Sequence, residues 1–351
     1  MAWLTHTDPF LRAALWIGLA ATGLIALLIL QIALLRLRLL SRRRRSAQVV
    51  ARWRPVVNAV LSGERPRDLP GLERAEEADF FKLWLHFQAS LRGEARAALN
   101  WLATDLGCEQ IALRLLARGD RGERLLAILV LGHLGRAGAG LRLQETALSS
   151  DRLLAVHASL ALVQIDPALA AASMAPGLVH NPAWPVREVV TVLQGAREQC
   201  ASVMHALLAR CDASALPRLL QVMEGLRVAV PGKDLQRLLA HESVEVQIAV
   251  LRMVSEPAAR EPVLSMLGHQ DWRVRMHAAK ALGRVGRRED VAALTQLLSD
   301  REWWVRYRSA QVIAGLPFVQ PDDMRQLAQA ATDRFAGDML RQVMAEGAMA
   351  A

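Results

Sequence analysis

The chain has 351 residues and a formal net charge of +9, and 53% of its side chains are hydrophobic. Its three cysteines, Cys108, Cys200 and Cys211, lack C-x-x-C spacing, which excludes a disulfide framework and fits a reduced compartment. Nine of the 43 basic residues and one of the 34 acidic residues lie at or before Arg54, so the remainder holds 34 against 33 and is near neutral. A nucleic-acid groove needs a concentrated basic face, which this balance does not supply.

Residues 1–12 read as a short extracytoplasmic segment. From Ala13 to Leu35 runs an uncharged, mostly apolar stretch of 23 residues. As a helix it is roughly 34 Å long, enough for a hydrocarbon core of about 30 Å. It is too long for a signal peptide, and its arginines follow rather than precede it. Trp3 and Trp16 are placed for the outer interface, and Gln31 lies near the inner end. Within the span, Ala14, Gly18, Thr22 and Ala26 recur every four residues, a small-residue stripe that admits close pairing with another helix.

After the span come Arg36, Arg38, the run Arg42, Arg43, Arg44 and Arg45, then Arg52 and Arg54. Excess arginine marks the cytoplasmic side, so the chain is expected to cross an inner membrane once with its amino terminus outside. The cluster from Arg36 to Arg45 is also placed to meet anionic membrane lipids, each charge contributing about 1 kcal/mol there. Residues 36–75 form this basic juxtamembrane segment and a connector, with an amphipathic helix expected from Ala47 to about Leu61 and turns at Pro66 and Pro70. Residues 76–118 carry helices at Ala78–Leu91 and Glu94–Leu106, an atypical opening cap.

From 119 to 317 the sequence repeats. DWRVRMHAAKALGRVG (Asp271–Gly286) is followed by REWWVRYRSAQVIAGL (Arg301–Leu316), and Val274 superposes on Val305 at a step of 31. Equivalent starts fall at Glu123, Leu154, Val186, Leu216 and Val246, with steps of 31, 32, 30, 30 and 28 on to Val274. Four residues on stand Ala127, Ala158, Val190, Leu220, Val250, Ala278 and Ser309, all small or apolar, a row that must face a neighbour closely. Each unit reads as two helices that bury their apolar faces only by stacking. A cap helix, Pro321 to about Ala331, and a tail occupy residues 318–351.

These two phrases resemble HEAT-type helical repeats, of the subclass first named from phycobilisome-lyase proteins. The resemblance covers Gln270–Leu316 and extends more weakly back to about Gly119. It implies an all-α protein, an α-solenoid of stacked helix pairs preceded by the membrane helix, and a role in protein–protein interaction.

Chemistry-bearing patterns are few. There is no H-E-x-x-H, P-loop, G-x-S-x-G or G-x-G-x-x-G. Di-iron deoxyhypusine hydroxylases share the repeat but carry several His-Glu dipeptides, whereas only His241-Glu242 occurs here. Bilin lyases also share it, so a lyase-type enzyme is the alternative reading, with a nucleic-acid-binding solenoid behind it. Five residues before each start lies a polar row, Ser149, Asn181, His241, His269 and Asp300, whose common phase implies a turn-closing role.

Two rows are candidates for partner binding. Trp184, Trp272 and Trp303, with Trp304 adjacent, share one phase, and Arg187, Arg275 and Arg306 share another. Aromatic and arginine side chains are typical interface anchors. The resemblance also implies an Asp/Arg ladder, for which Asp300 with Arg306 is the best fit. The expected function is a membrane-anchored, non-catalytic adaptor. No cofactor, metal or small-molecule substrate is expected, and the partner is a protein. A polytopic membrane enzyme such as a polysaccharide synthase or glycosyltransferase suits that geometry.

Overall fold

The computed structural model describes residues 9–66 and 68–350, apart from the side chains of residues 9–15, 38, 39, 42 and 348–350. The outer segment 1–8 with Trp3, and the side chains of Ala14, Arg38 and Arg42, therefore lie outside the described residues. Every described element is helical. The chain divides into two compact units, one ending at Arg142 and one beginning at Leu143.

The first unit is built on α1, Pro9–Leu61, a single helix of 53 residues. Its apolar stretch, Trp16–Leu37, is the one helix among the described residues long and apolar enough to cross a membrane. The separate helix expected from Ala47 is the end of this same helix. Residues 36–48 contain neither Gly nor Pro, so nothing stops the span from continuing. Val49, Trp53, Val57 and Val60 are buried, and α1 packs on α2 (Glu77–Ser90) and α3 (Glu94–Asp105). Trp53 meets Phe80 edge-on at 4.7 Å, and Trp84 Nε1 donates to the Leu99 carbonyl at 3.0 Å. Arg114 on α4 (Cys108–Arg118) holds the buried Glu77 carboxylate at 2.5 Å. Helix α5 (Arg121–Leu134) opens with a reciprocal cap between Asp120 and Glu123 and closes on Gly135, whose φ of 67° is a conformation glycine adopts without steric cost.

Helix α6 (Gly140–Ala147) contains the boundary. The second unit then alternates A and B helices. The A helices are α7 (Arg152–Ile165), α9 (Val186–Leu193), α11 (Leu216–Leu226), α13 (Val244–Met253), α15 (Trp272–Val285) and α17 (Trp303–Gly315). The B helices are α8 (Pro167–His180), α10 (Arg197–Leu208), α12 (Gly232–Leu239), α14 (Arg260–Ser265), α16 (Val291–Gln296) and α18 (Pro321–Ala330). Successive A helices pack side by side, and α19 (Arg334–Ala350) closes on α17 and α18. The tail left open as helix or frayed end is thus a helix.

Side-chain oxygens of Asp151, Asp166, Ser243 and Asp271 accept from backbone N–H groups at the starts of α7, α8, α13 and α15, so a short polar residue fixes each start. Of the row expected to face a neighbour, Ala127, Ala158, Leu220, Val250, Ala278 and Ser309 are fully buried. The phase slips at two helices. Leu154, Val246, Val274 and Val305 are the third residues of their helices, whereas Val186 and Leu216 are the first of theirs. Proline sets these starts: Pro185 immediately precedes α9, and Pro217 is the second residue of α11. Val189, Val192 and Leu193 consequently carry the α9 core, and Val190 is half-buried. It lies so near α11 that a Cβ on Gly225 would come within 2.5 Å of its Cγ2.

Candidate partner-binding face

The turn before each A helix is a small polar assembly. Asn181 Oδ1 accepts from the Ala183 N–H, His241 Nδ1 from Ser243, His269 Nδ1 from Asp271 and Asp300 Oδ1 from Glu302. The polar row therefore closes turns. One residue past the starts, Gln247, Arg275 and Arg306 each donate to the carbonyl six residues back, at 2.9, 2.8 and 2.7 Å.

Arg275 reaches further. Its Nε and Nη2 hold the Asp300 carboxylate of the next repeat at 2.6 and 2.7 Å, with both side chains 8% exposed. Burial alone would raise the Asp300 pKa, but the Arg275 bonds and the Glu302 N–H hold it below the usual carboxylate range. The expected ladder partner of Asp300 was Arg306. Arg306 takes only the Asp300 backbone carbonyl, because the carboxylate faces the preceding repeat, where Arg275 meets it with two parallel donors.

Arg187 stays exposed, since the slip in α9 makes it the second residue of its helix rather than the fourth. Arg218 on α11 instead gathers the carbonyls of Leu178, Val179, Asn181 and Trp184 at 2.5–3.2 Å. Sequence phase gave no sign of this role.

The tryptophans divide in the same way. Trp184 is 8% exposed beneath the Arg152 guanidinium, which lies 5.2 Å from the ring, and Trp272 is half-buried. Trp303 and Trp304 are 40% and 52% exposed. Trp303 stacks on Tyr307 at 4.8 Å and meets Trp304 edge-on at 4.7 Å. The Arg306 guanidinium sits 5.4 Å from the Phe335 ring, which is 64% exposed at the start of α19. The Tyr307 hydroxyl donates to Glu346 at 2.8 Å. Trp303, Trp304 and Tyr307 thus form one group of rings on the last A helix, and Arg306 with Phe335 forms a second contact at the start of α19. Phe335 was missed because the repeat period does not reach α19, and Tyr307 because no other repeat has an aromatic residue at its phase.

The membrane-facing candidates lie on α1. Arg36, Arg43, Arg44 and Arg45 are exposed, as are Gly18, Thr22 and Ala26. The Thr22 hydroxyl donates to the Gly18 carbonyl at 2.8 Å and so is engaged within its own helix. Burial pushes the Cys108 and Cys200 thiols up to about 12 and about 11, as for structural cysteines. In an open cleft of about 730 Å³, Arg197 and His205 bond the Arg227 and Ala229 carbonyls. Among the described residues, no three His, Cys, Asp or Glu side chains are grouped to hold a metal ion.

Residues 234–314, from α12 to α17, match the family model described as HEAT repeats. This segment is similar to HEAT repeats in sequence, and its helices stand in successive pairs. Among solved structures, the chain is similar to an engineered protein from the Northeast Structural Genomics Consortium, at 15% identity and a TM-score of 0.37, covering 82% of this chain and 88% of that one. No curated protein matches. The HEAT-repeat match and the uniformly helical pairs together give an α-solenoid of the kind that acts as a protein-interaction scaffold.

Proposed function

We propose that this protein is a single-pass membrane adaptor without catalytic activity, its amino terminus outside and its HEAT-repeat body in the cytoplasm. Its body holds a protein partner at the inner face of the inner membrane. An apolar helix near an amino terminus is by length alone either an anchor or a signal sequence. The continuity of α1 supports the anchor, because the helix that holds Trp16–Leu37 also supplies Val49, Trp53, Val57 and Val60 to the first core. Arg36 at the inner end of the first stretch and Arg43–Arg45 between the two, all exposed, support a cytoplasmic placement against anionic head groups.

The observation that carries the adaptor reading is the exposure of Trp303 and Trp304 on the last A helix and of Phe335 beside Arg306 at the start of α19. Large rings left open to solvent beside a guanidinium are the ordinary anchors of a protein interface. A polytopic membrane enzyme, such as a polysaccharide synthase or glycosyltransferase, is the class of partner suited to a body tethered at the bilayer.

A photo-crosslinking residue in place of Trp304 in native membranes tests this reading. One stoichiometric partner is expected, and its yield should fall when Trp303 and Phe335 are changed to Ala. Recovery of no partner across growth conditions overturns the adaptor.

A further inference from the structure

Beyond Arg273, which the capping Asp271 holds at 2.8 Å, the outward stripe of the last three A helices carries charge that neither the turns nor the exposed rings use. On α15, Arg273, His277, Lys280 and Arg284 recur at steps of four, three and four, which places them on one face. The same phase holds Trp304, Arg308 and Gln311 on α17, and Glu245 and Arg252 on α13. These helices pack side by side. Gly283 lets α15 and α17 approach so closely that a Cβ there would come within 2.8 Å of Val312 Cγ1.

The nearby acids are already engaged. Glu224 pairs with Arg252 at 2.7 Å, and Glu245 lies 3.8 Å from Arg273. Arg284 donates to the Leu251 and Val254 carbonyls and Arg308 to the Gln311 amide, neutral partners that leave both charges uncompensated. Lys280 is exposed, and among the described residues no carboxylate pairs with Lys280, Arg284 or Arg308. These groups surround His277, whose Nδ1 has no hydrogen-bond partner. Burial and the fields of Arg252, Lys280, Arg308 and Arg284 push the His277 pKa down to about 4, so its ring is neutral at pH 7.

We infer that this basic stripe seats an acidic segment of the protein partner, its carboxylates held by Lys280 and Arg308 and an apolar side chain resting on Trp304. The inference rests on the adaptor reading and names the chemistry of what the adaptor holds. Charge complementarity selects this occupant. A few separated cations on two helices match a few carboxylates, whereas a nucleic acid needs a long basic track that the near-neutral body lacks.

The probe is a fluorescent peptide of Leu-Glu-Glu repeats, titrated against the full chain in lipid nanodiscs. Binding is expected to weaken roughly tenfold when Lys280→Glu and Arg308→Glu are combined, and to stay within about twofold for Arg210→Glu, an exposed arginine in the turn after α10. If the double reversal unfolds the body by circular dichroism, Lys280→Gln with Arg308→Gln replaces it, with a loss of about fourfold expected. Unchanged peptide affinity in the folded double variant overturns the stripe. So does tighter binding of oligo-dT of matched length than of the peptide. A partner cross-linked at wild-type yield by the double variant overturns the stripe while leaving the adaptor standing. Absence of any partner from the wild type overturns the adaptor, and the peptide titration still decides the stripe.

Discussion

Arg275 and Asp300 meet almost out of water, so each depends on the other. Arg275→Ala leaves a buried carboxylate uncompensated and is expected to cost about 3 kcal/mol in denaturant melts, whereas replacing both residues by apolar side chains of similar volume costs much less. Asp300 and Asp290 have folded-state pKa values below their unfolded ones. Their contribution is therefore fully present above the unfolded carboxylate range and is lost as pH falls through the folded values. His277 acts in a different window. Its pKa is about 4 in the folded chain against an ordinary 6.5, so the unfolded chain takes up the proton first. Stability should fall as pH drops from 6.5 toward 4, and His277→Gln should flatten part of that limb in melts taken across the same range, with His133, also lowered by burial and Arg96, retaining its share. The common phase of the turn histidines was legible in the sequence. The cations around His277 were not, because they come from three helices whose juxtaposition appears only after stacking.

At the scale of the helix pair, arginine accounts for the fold's preference over lysine. Arg197 reaches the Arg227 carbonyl, Arg288 the Phe318 carbonyl and Arg284 the Val254 carbonyl, each 30 residues away and so one repeat along. A planar fork of donors can cap several free carbonyls at once, which a lysine cannot. Close approach between A helices is the other device. Gly225→Ala is expected to destabilise by about 1–2 kcal/mol despite alanine's better helix propensity, because Val190 cannot swing aside. Adding Val190→Ala should restore part of the loss, and additive effects in a double-mutant cycle would show that the two side chains do not meet. The seven starts were readable because each repeat must bury the same face. The two-residue slip at α9 and α11 was not, since a proline moves a helix start without altering the apolar composition around it.

For the whole chain, α1 links an apolar span to a packed core. The protein should stay with membranes through alkaline carbonate extraction, and deletion of Ala13–Leu35 should release it. A reporter fused after Ala351 should be active only when it is one that works in the cytoplasm. Activity from a periplasmic reporter alone would reverse the orientation read from Arg36–Arg45.

The sequence by itself determined the helix pairs, their period and the apolar segment ahead of them, because those depend on local spacing of apolar, capping and charged residues. Only the tertiary structure decided that Trp184 and Arg275 serve the interior while Trp303, Trp304 and Phe335 face solvent. It alone joined the span and the first core helix into one rod. One phase of a repeat brings its residues into line, but each residue's exposure depends on which neighbour stacks above it, and the last repeat has α19 in place of another pair.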